Sequence, residues 1–350
     1  MEDKPDIVHC HDHHSGIIPF CMKYSVKYGV LRKIPTIFTI HNGNYQGAYS
    51  WHNAHLLPHF YENERGWLDW NNTINPMASA IRCAWAFTTV SPSYLDELKS
   101  GDTPVASLIR AESARGHGLL NGIDAKTWDP ATDAFLDEKL TNSGITDFKK
   151  RNKKSICDQF RLNPKFPLIT FIGRFAREKG AFILPDVIHS FFGQHYRANF
   201  MILGSGNAQL SRQFNELKYA YEGLYNNYNG YHEGLAHLLY AGSDFLIMPS
   251  QLEPCGLNQM YSMRYGTVPI VRSTGGLKDT VIDIGDQGGG IRFTNLSVDD
   301  VNHALHRAVF LYKNKSNMKG LRKRIMAYDF SWEKMTEAYT SLYNSFLQQL

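Results

Sequence analysis

Seven short, largely apolar runs limit what this chain can fold into. They are DIVHC (6–10), TIFTI (36–40), AFTTV (86–90), LITFIG (168–173), NFMILG (199–204), DFLIMPS (244–250) and VPIVRS (268–273). Turn residues follow them, and stretches of helical periodicity separate them. A strand with one wet face alternates apolar and polar residues, whereas a strand apolar throughout is covered on both faces. Strands that alternate with helices pair in parallel through crossovers. The pattern predicts an α/β fold of two Rossmann-like, doubly wound units, and 350 residues suffice for both.

The turn-rich stretch NGIDAKTWDPATD and the charged segment after it place the hinge between about 121 and 165. The expected domains are 1–160 and 161–330. From Ser331 onward, Trp332, Met335, Leu342, Tyr343 and Phe346 recur at helical spacing, which predicts an amphipathic helix over 331–350 with Ser331 as its N-cap. A doubly wound domain usually opens with a strand and a glycine-rich turn. Here the first strand begins at residue 6 and no such turn follows, so the N-terminal half is expected to be incomplete.

Composition narrows the function classes. A net charge of +4 and the lack of a dense basic stretch with interleaved aromatics argue against a nucleic-acid partner. The densest basic run, Lys149-Lys150-Arg151 with Lys153-Lys154, reads as a solvated helix face. The five cysteines are odd in number and contain no C-x-x-C pair, which argues against a disulfide framework or structural zinc and for a reducing cytoplasm. No apolar run approaches the ~20 residues of a membrane span, so no membrane partner is expected. The start MEDKPDIVHC has no charged-then-apolar leader, so no export signal is expected.

The stretch VHCHDHHSG (8–16) raises the question of metal. His9, His11 and His14 fit an H-x-H-x-D-H hydrolase pattern, but Asp12 comes one place early and His13 occupies the aspartate position. A one-residue shift in a strand turns a side chain to the other face. The alternative is topological: His11, Asp12, His41 and Asn42 sit at carboxyl ends of strands, where open α/β sheets bind ligands. Polar side chains there can grip sugar hydroxyls.

The second half carries sharper chemistry. In FIGRFAREKG, Arg174 and Lys179 follow a strand and can neutralise a diphosphate. In PSQLEPCGLNQ, Glu253 precedes Cys255-Gly256-Leu257, which are expected to open a helix whose first N–H groups donate to oxygens. A carboxylate beside such amides suits a polyol. Cys255 as a nucleophile is disfavoured, because no paired base is evident. In VRSTGGLKDTV, Thr274, Gly275 and Gly276 would allow close backbone approach to phosphate, and LGSGN (203–207) is a weaker case of the same kind. The chain has no Asp-x-Asp pair, so a nucleotide-sugar enzyme of this design would use cations and helix ends in place of a metal.

Taken in order, PDIVHCHDHHSG, FTIHNGNYQG, TTVSPSY, LLNGIDAKTWDP, GRFAREKG, GYHEGLAHLLYAGSD and PSQLEPCGLNQMYSMRYGTVPIVRSTGGLKDTV resemble bacterial glycogen synthases and plant starch synthases, retaining glycosyltransferases of the GT-B fold. The resemblance runs nearly end to end. It implies two Rossmann-like domains facing a cleft, the first being the acceptor-side starch synthase catalytic domain and the second binding the nucleotide sugar. It implies transfer of glucose from ADP-glucose, or UDP-glucose in some members, to the non-reducing end of an α-1,4-glucan, without a metal cofactor. On this resemblance Arg174 and Lys179 match the phosphate-stabilising pair. Glu253 matches the carboxylate on the donor glucose hydroxyls, with the amides of Cys255, Gly256 and Leu257 alongside. His41 matches the histidine near the glucose 6-hydroxyl, and Asp12 an aspartate lining the same cleft. Asn121 matches a donor-side asparagine, Tyr231 a tyrosine packed on the nucleotide, and Thr274 with Gly275 the phosphate-side turn.

Two departures stand out. Asn258 occupies a position where many members carry threonine. The family's opening strand and KTGGL loop have no counterpart, a gap on the order of a hundred residues that fits the missing glycine-rich turn. Loss of one strong donor to developing charge costs roughly two or three orders of magnitude in rate. Weak or absent synthase activity is therefore expected of these 350 residues, with nucleotide binding retained. A non-catalytic ADP- or glucan-binding remnant and a metal-dependent hydrolase using His9–His14 are the alternatives.

Overall fold

The computed structural model describes residues 4–348. The chain divides into two compact units, Met1–Asn121 with Met335–Leu350, and Gly122–Lys334.

The first unit holds strands β1 (Val8–His11), β2 (Thr36–Ile40), β3 (Asp69–Trp70), β4 (Thr73–Ile74), β5 (Ala86–Thr89) and β6 (Gly116–Gly118). β1, β2, β5 and β6 form a parallel sheet in that order, and β3 and β4 pair as a small antiparallel ribbon. All five residues of β2 are buried, as a central strand covered on both faces requires. Side-chain caps start the flanking helices. The Asn75 Oδ1 accepts from the Ala78 N–H ahead of Pro76–Cys83, and the Ser91 Oγ from the Tyr94 N–H ahead of Pro92–Ser100. In each, proline at the first position suits a site where an N–H would lack a partner.

The second unit holds β7 (Leu168–Ile172), β8 (Asn199–Gly204), β9 (Tyr225–Asn229), β10 (Phe245–Met248), β11 (Val268–Arg272) and β12 (Ile291–Phe293). Its six strands are all parallel in the order β12-β11-β10-β7-β8-β9. Successive residues of β7 feed two cores. Ile169 and Phe171 join Phe200, Ile202, Phe245 and Ile270 on one face, while Leu168 joins Ile156, Met201, Leu203 and Leu239 on the other. Each such side chain contributes about 1.5–3 kcal/mol by leaving water. Strand order reverses between β7 and β10, and their carboxyl ends form the topological switch point where sheets of this kind hold ligands.

Two features differ from the sequence reading. The compact units divide at 121/122 rather than near 160, because helix Ile145–Phe160 packs its buried face on the second unit through Phe148 and Ile156. The terminal helix, Trp332–Leu347, is capped as expected: the Ser331 Oγ accepts from the Lys334 N–H at 3.2 Å. From Met335 on it belongs to the first unit, where Phe346 meets Trp85 edge-on at 5.8 Å.

The basic run is the second difference, since only part of it is solvated. Lys149 and Lys153, four residues apart, fall on the core-facing stripe of their helix and are 2% and 6% exposed. The Lys149 ammonium donates to the carbonyls of Tyr240 and Tyr265 and to the Thr267 hydroxyl. Burial pushes it well below the ordinary lysine range. Lys153 pairs with the buried Asp244 at 2.6 Å, and Arg322 holds the other carboxylate oxygen at 2.5 Å.

Candidate functional site

The switch point in the second unit collects the chemistry. Residues 173–180 leave β7, and residues 249–257 leave the adjacent β10. Backbone joins the two loops: the Gln251 and Leu252 N–H groups both donate to the Glu178 carbonyl, at 2.9 and 3.1 Å. Gly180 makes that approach possible. Its φ is +66°, and a Cβ there would lie 1.7 Å from the Pro249 carbonyl oxygen.

This junction sets Lys179 against Glu253. The ammonium donates to both carboxylate oxygens at 2.8 Å, and the Ser250 hydroxyl donates to Oε2 at 2.9 Å. Glu253 is 5% exposed, whereas the Lys179 side chain is 28% exposed and faces solvent on one side. Arg174, on the same loop, is largely exposed and pairs with Glu178 at 2.6 Å. The structure therefore brings Lys179 and Glu253 into contact and leaves Arg174 on a neighbouring acid.

The helix expected to open at Cys255 begins three residues later, at Asn258. Gly256 has φ +74°, outside the helical region, so residues 255–257 form the loop ahead of the helix. Among the described residues the Gly256 and Leu257 N–H groups donate to no carbonyl. The Asn258 side chain, flagged as a departure, donates to the Ile172 carbonyl at 2.8 Å and ties the helix to the end of β7. Gln259 was not anticipated. Fully buried, it donates to the carbonyls of Cys255 and Gly256 and to the Thr280 hydroxyl. Sequence gives little mark of it, because Ser262 on the same buried face is polar as well.

Thr274 and Gly275 follow β11, beside β10. At Gly275 φ is +42°, and a Cβ would meet the Glu253 carbonyl oxygen at 2.1 Å. The Gly276 N–H donates to the same oxygen at 3.1 Å. The Gly-Gly turn is thus shaped by the close passage of the Glu253 backbone. LGSGN packs beside the β7 loop, with the Phe175 N–H donating to the Ser205 carbonyl. Tyr231, past the end of β9, is 83% exposed and its hydroxyl donates to Glu233.

In the first unit the histidine cluster resolves into neighbour contacts. The Asp12 Oδ1 accepts the His41 backbone N–H at 2.8 Å, with Asp12 at φ +52°. His11 Nδ1 lies 3.1 Å from His41 Nε2. His9 reaches the Tyr343 hydroxyl with Nδ1 and the Thr39 hydroxyl with Nε2, both at 2.7 Å, and stacks on His11. Burial, then the neighbouring His11 and His41, pushes the His9 imidazole down to about 4. Burial also lowers His11. His13 packs beneath Gly47, and His14 against His13. Among the described residues no group of three His, Cys, Asp or Glu side chains is placed to hold a metal ion. The Asn42 side chain accepts from the Asn44 N–H in a local turn, and Asn121 ends the first of the two segments that make up the first unit. Among the described residues no disulfide joins any of the five cysteines, and Cys255 is buried.

Residues 1–115 match the starch synthase catalytic domain, and residues 152–320 match glycosyl transferases group 1. Glycogen synthase of Flavobacterium johnsoniae is 46% identical over 346 residues, 99% of this chain and 73% of its own length. This chain belongs to the glycogen and starch synthase family. Glycogen synthase of Geobacillus thermodenitrificans is 34% identical across the whole of this chain and 73% of its own length. The catalytic domain of starch synthase IV from Arabidopsis thaliana, solved with ADP and acarbose, superposes with a TM-score of 0.88 at 31% identity, covering 99% of this chain and 74% of that one. The synthase fold is GT-B, and the chain is a hexosyltransferase with glycogen or starch synthase activity. Among the described residues no helix is long and apolar enough to cross a membrane.

Proposed function

We propose that this synthase takes ADP-glucose as its donor and extends the non-reducing end of an α-1,4-glucan with retention at the anomeric carbon. As the bond from that carbon to the diphosphate breaks, negative charge grows on the departing phosphate. Lys179 and Arg174 neutralise it. Glu253 accepts hydrogen bonds from the donor glucose hydroxyls, beside the amides of Cys255, Gly256 and Leu257. The acceptor 4-hydroxyl attacks from the face the nucleotide leaves, and the departing phosphate oxygen is the nearest base for its proton. Thr274 and Gly275 flank the phosphates, Tyr231 packs on the nucleotide, and Asn121 contributes from the donor side. Asp12, His41 and Asn42 supply the sugar contacts of the first unit. Charge neutralisation is assigned to side chains, which requires no metal cofactor. A cytoplasmic location fits five cysteines that form no disulfide among the described residues.

The contact between Lys179 and Glu253 at the switch point carries this reading. It puts the cation for the leaving group and the acid for the sugar in one place. ADP bound to the starch synthase IV neighbour supports the choice of nucleotide. Calorimetric titration of ADP into the chain tests it, with Lys179→Ala and Arg174→Ala as controls. Saturable binding that weakens in both variants is expected. Tighter binding of UDP than ADP, or unchanged ADP affinity in both variants, would overturn it.

A further inference from the structure

The second unit carries a groove remote from the switch point. It holds about 1390 Å³ and runs along the C-terminal half of helix Val298–Lys313, the start of helix Lys315–Met326, and Tyr196. A further groove of about 650 Å³ shares Tyr196, Val309, Lys313 and Lys315 with it and adds Lys165 and Arg197. Lys165 precedes β7 and Arg197 precedes β8. The joined groove therefore lies toward the amino ends of the strands, whereas Lys179 and Glu253 follow their carboxyl ends.

Its charge is one-sided. No aspartate or glutamate lines either part. Lys165, Arg197, Lys313 and Lys315 are exposed there and enter no ion pair among the described residues. Arg307 and Arg324 add to the wall, the first paired with Asp283 and the second with the Gly288 carbonyl. Apolar surface accompanies the charge. Phe310 is 78% exposed, and Tyr196, 37% exposed, stacks on His306 at 3.8 Å.

Neither feature helps the fold. Gathering like charges raises the energy of the compact state, and an exposed phenyl ring keeps its apolar area in water. The whole chain carries only +4, so the positive field is local rather than general. The complement is a run of carboxylates around one large apolar side chain. A pocket for a small molecule spans roughly 300–1,000 Å³, and the joined groove is longer and open. Single-stranded nucleic acid needs successive aromatic faces along a phosphate track. Among the described lining residues, Tyr196 is stacked on His306, Tyr312 lies beneath the Lys315 ammonium, Phe166 is half-buried, and Phe310 is the largely exposed ring.

We propose that this groove is a docking surface for an acidic, aromatic-bearing segment of a partner protein. Fluorescence anisotropy of a labelled Glu-rich peptide with a central Trp, titrated with the full chain at low and physiological ionic strength, tests it. Saturable binding that weakens with salt is expected. Lys313→Glu with Lys315→Glu should weaken it by roughly tenfold or more, about 1.4 kcal/mol, and Phe310→Ala should weaken it independently. Lys165→Glu with Arg197→Glu gives a second charge-reversed variant should the first melt early. Lack of saturable binding, equal binding by both charge-reversed variants, or tighter binding of a single-stranded oligonucleotide or inorganic phosphate would overturn the proposal.

Discussion

The Lys179 ammonium sits 2.8 Å from each oxygen of the Glu253 carboxylate. Resemblance assigns these groups different parts of the substrate, yet the structure joins them to one another. A nearly buried carboxylate needs a partner. Lys179 and Ser250 provide it. The pair is therefore charge-balanced within the protein, and under the proposed function sugar hydroxyls and phosphate exchange for those contacts.

The first prediction follows from that exchange. Lys179→Ala should lower the rate of glucosyl transfer by roughly two to three orders of magnitude relative to the unaltered chain. Glu253→Gln should lower it too, while removing the buried charge that Lys179 balances. Incorporation of labelled glucose into glycogen measures both, and the double variant should be less impaired than the product of the single effects. Independent effects would show that the pair does not act as a unit.

Gly275 supports a second prediction. Alanine there would meet the Glu253 carbonyl at 2.1 Å from a backbone with φ +42°. Gly275→Ala should push the Glu253 loop outward, cutting transfer activity at least tenfold and lowering the melting temperature by several degrees. An alanine variant with ordinary activity and stability would mean that the two loops do not pass this closely.

Much of this architecture was legible because burial on both faces writes itself as apolar runs. TIFTI and NFMILG match β2 and β8 residue for residue, and the other five runs overlap strands with ends shifted by one or two positions. The strands that were missed lack that mark. β9 reads YNNYN and lies at a sheet edge, and β6 is GHG. The candidate site was legible as separate motifs. Contact between Lys179 and Glu253, 74 residues apart, was not, because strand order and not sequence order makes β7 and β10 neighbours. The buried Lys149 and Lys153 were hidden for another reason. Charge content suggests a wet face, but partners such as Asp244, just ahead of β10, lie far away in sequence.

Asp244 carries the third prediction. Its carboxylate accepts from Lys153, Arg322 and the Leu168 N–H, and the two cations outweigh burial to hold it below the ordinary aspartate range. Asp244→Ala leaves two buried cations without their counter-ion and should destabilise the second unit by about 3–5 kcal/mol. Denaturant unfolding followed by tryptophan fluorescence measures this. A loss below about 1 kcal/mol would mean that water reaches the pair.

His11 holds the ring of His41 at one nitrogen while Asp12 holds its backbone. His11→Phe preserves stacking on His9 but removes the nitrogen facing His41. If His41 contacts the sugar, kcat should fall several-fold or more with less change in the donor KM, while Asp12→Ala should impair both. Steady-state kinetics separates the cases. Equal kinetics in His11→Phe and the unaltered chain would release His11 from any positioning role.

The His9 imidazole gives the first unit a pH dependence of fixed sign. Burial and the adjacent histidines lower it from 6.5 to about 4, so the folded chain keeps it neutral where the unfolded chain protonates it. Between those values the unfolded state binds more protons. Stability from this group is therefore complete above about 6.5 and is lost as pH falls toward 4. The melting temperature should decline across that window, and His9→Asn, which has no proton to gain there, should flatten the decline while lowering stability at neutral pH through its lost contacts with Tyr343 and Thr39. Thermal melts at half-unit pH steps compare the two chains. Parallel curves would place the acid sensitivity elsewhere in the unit.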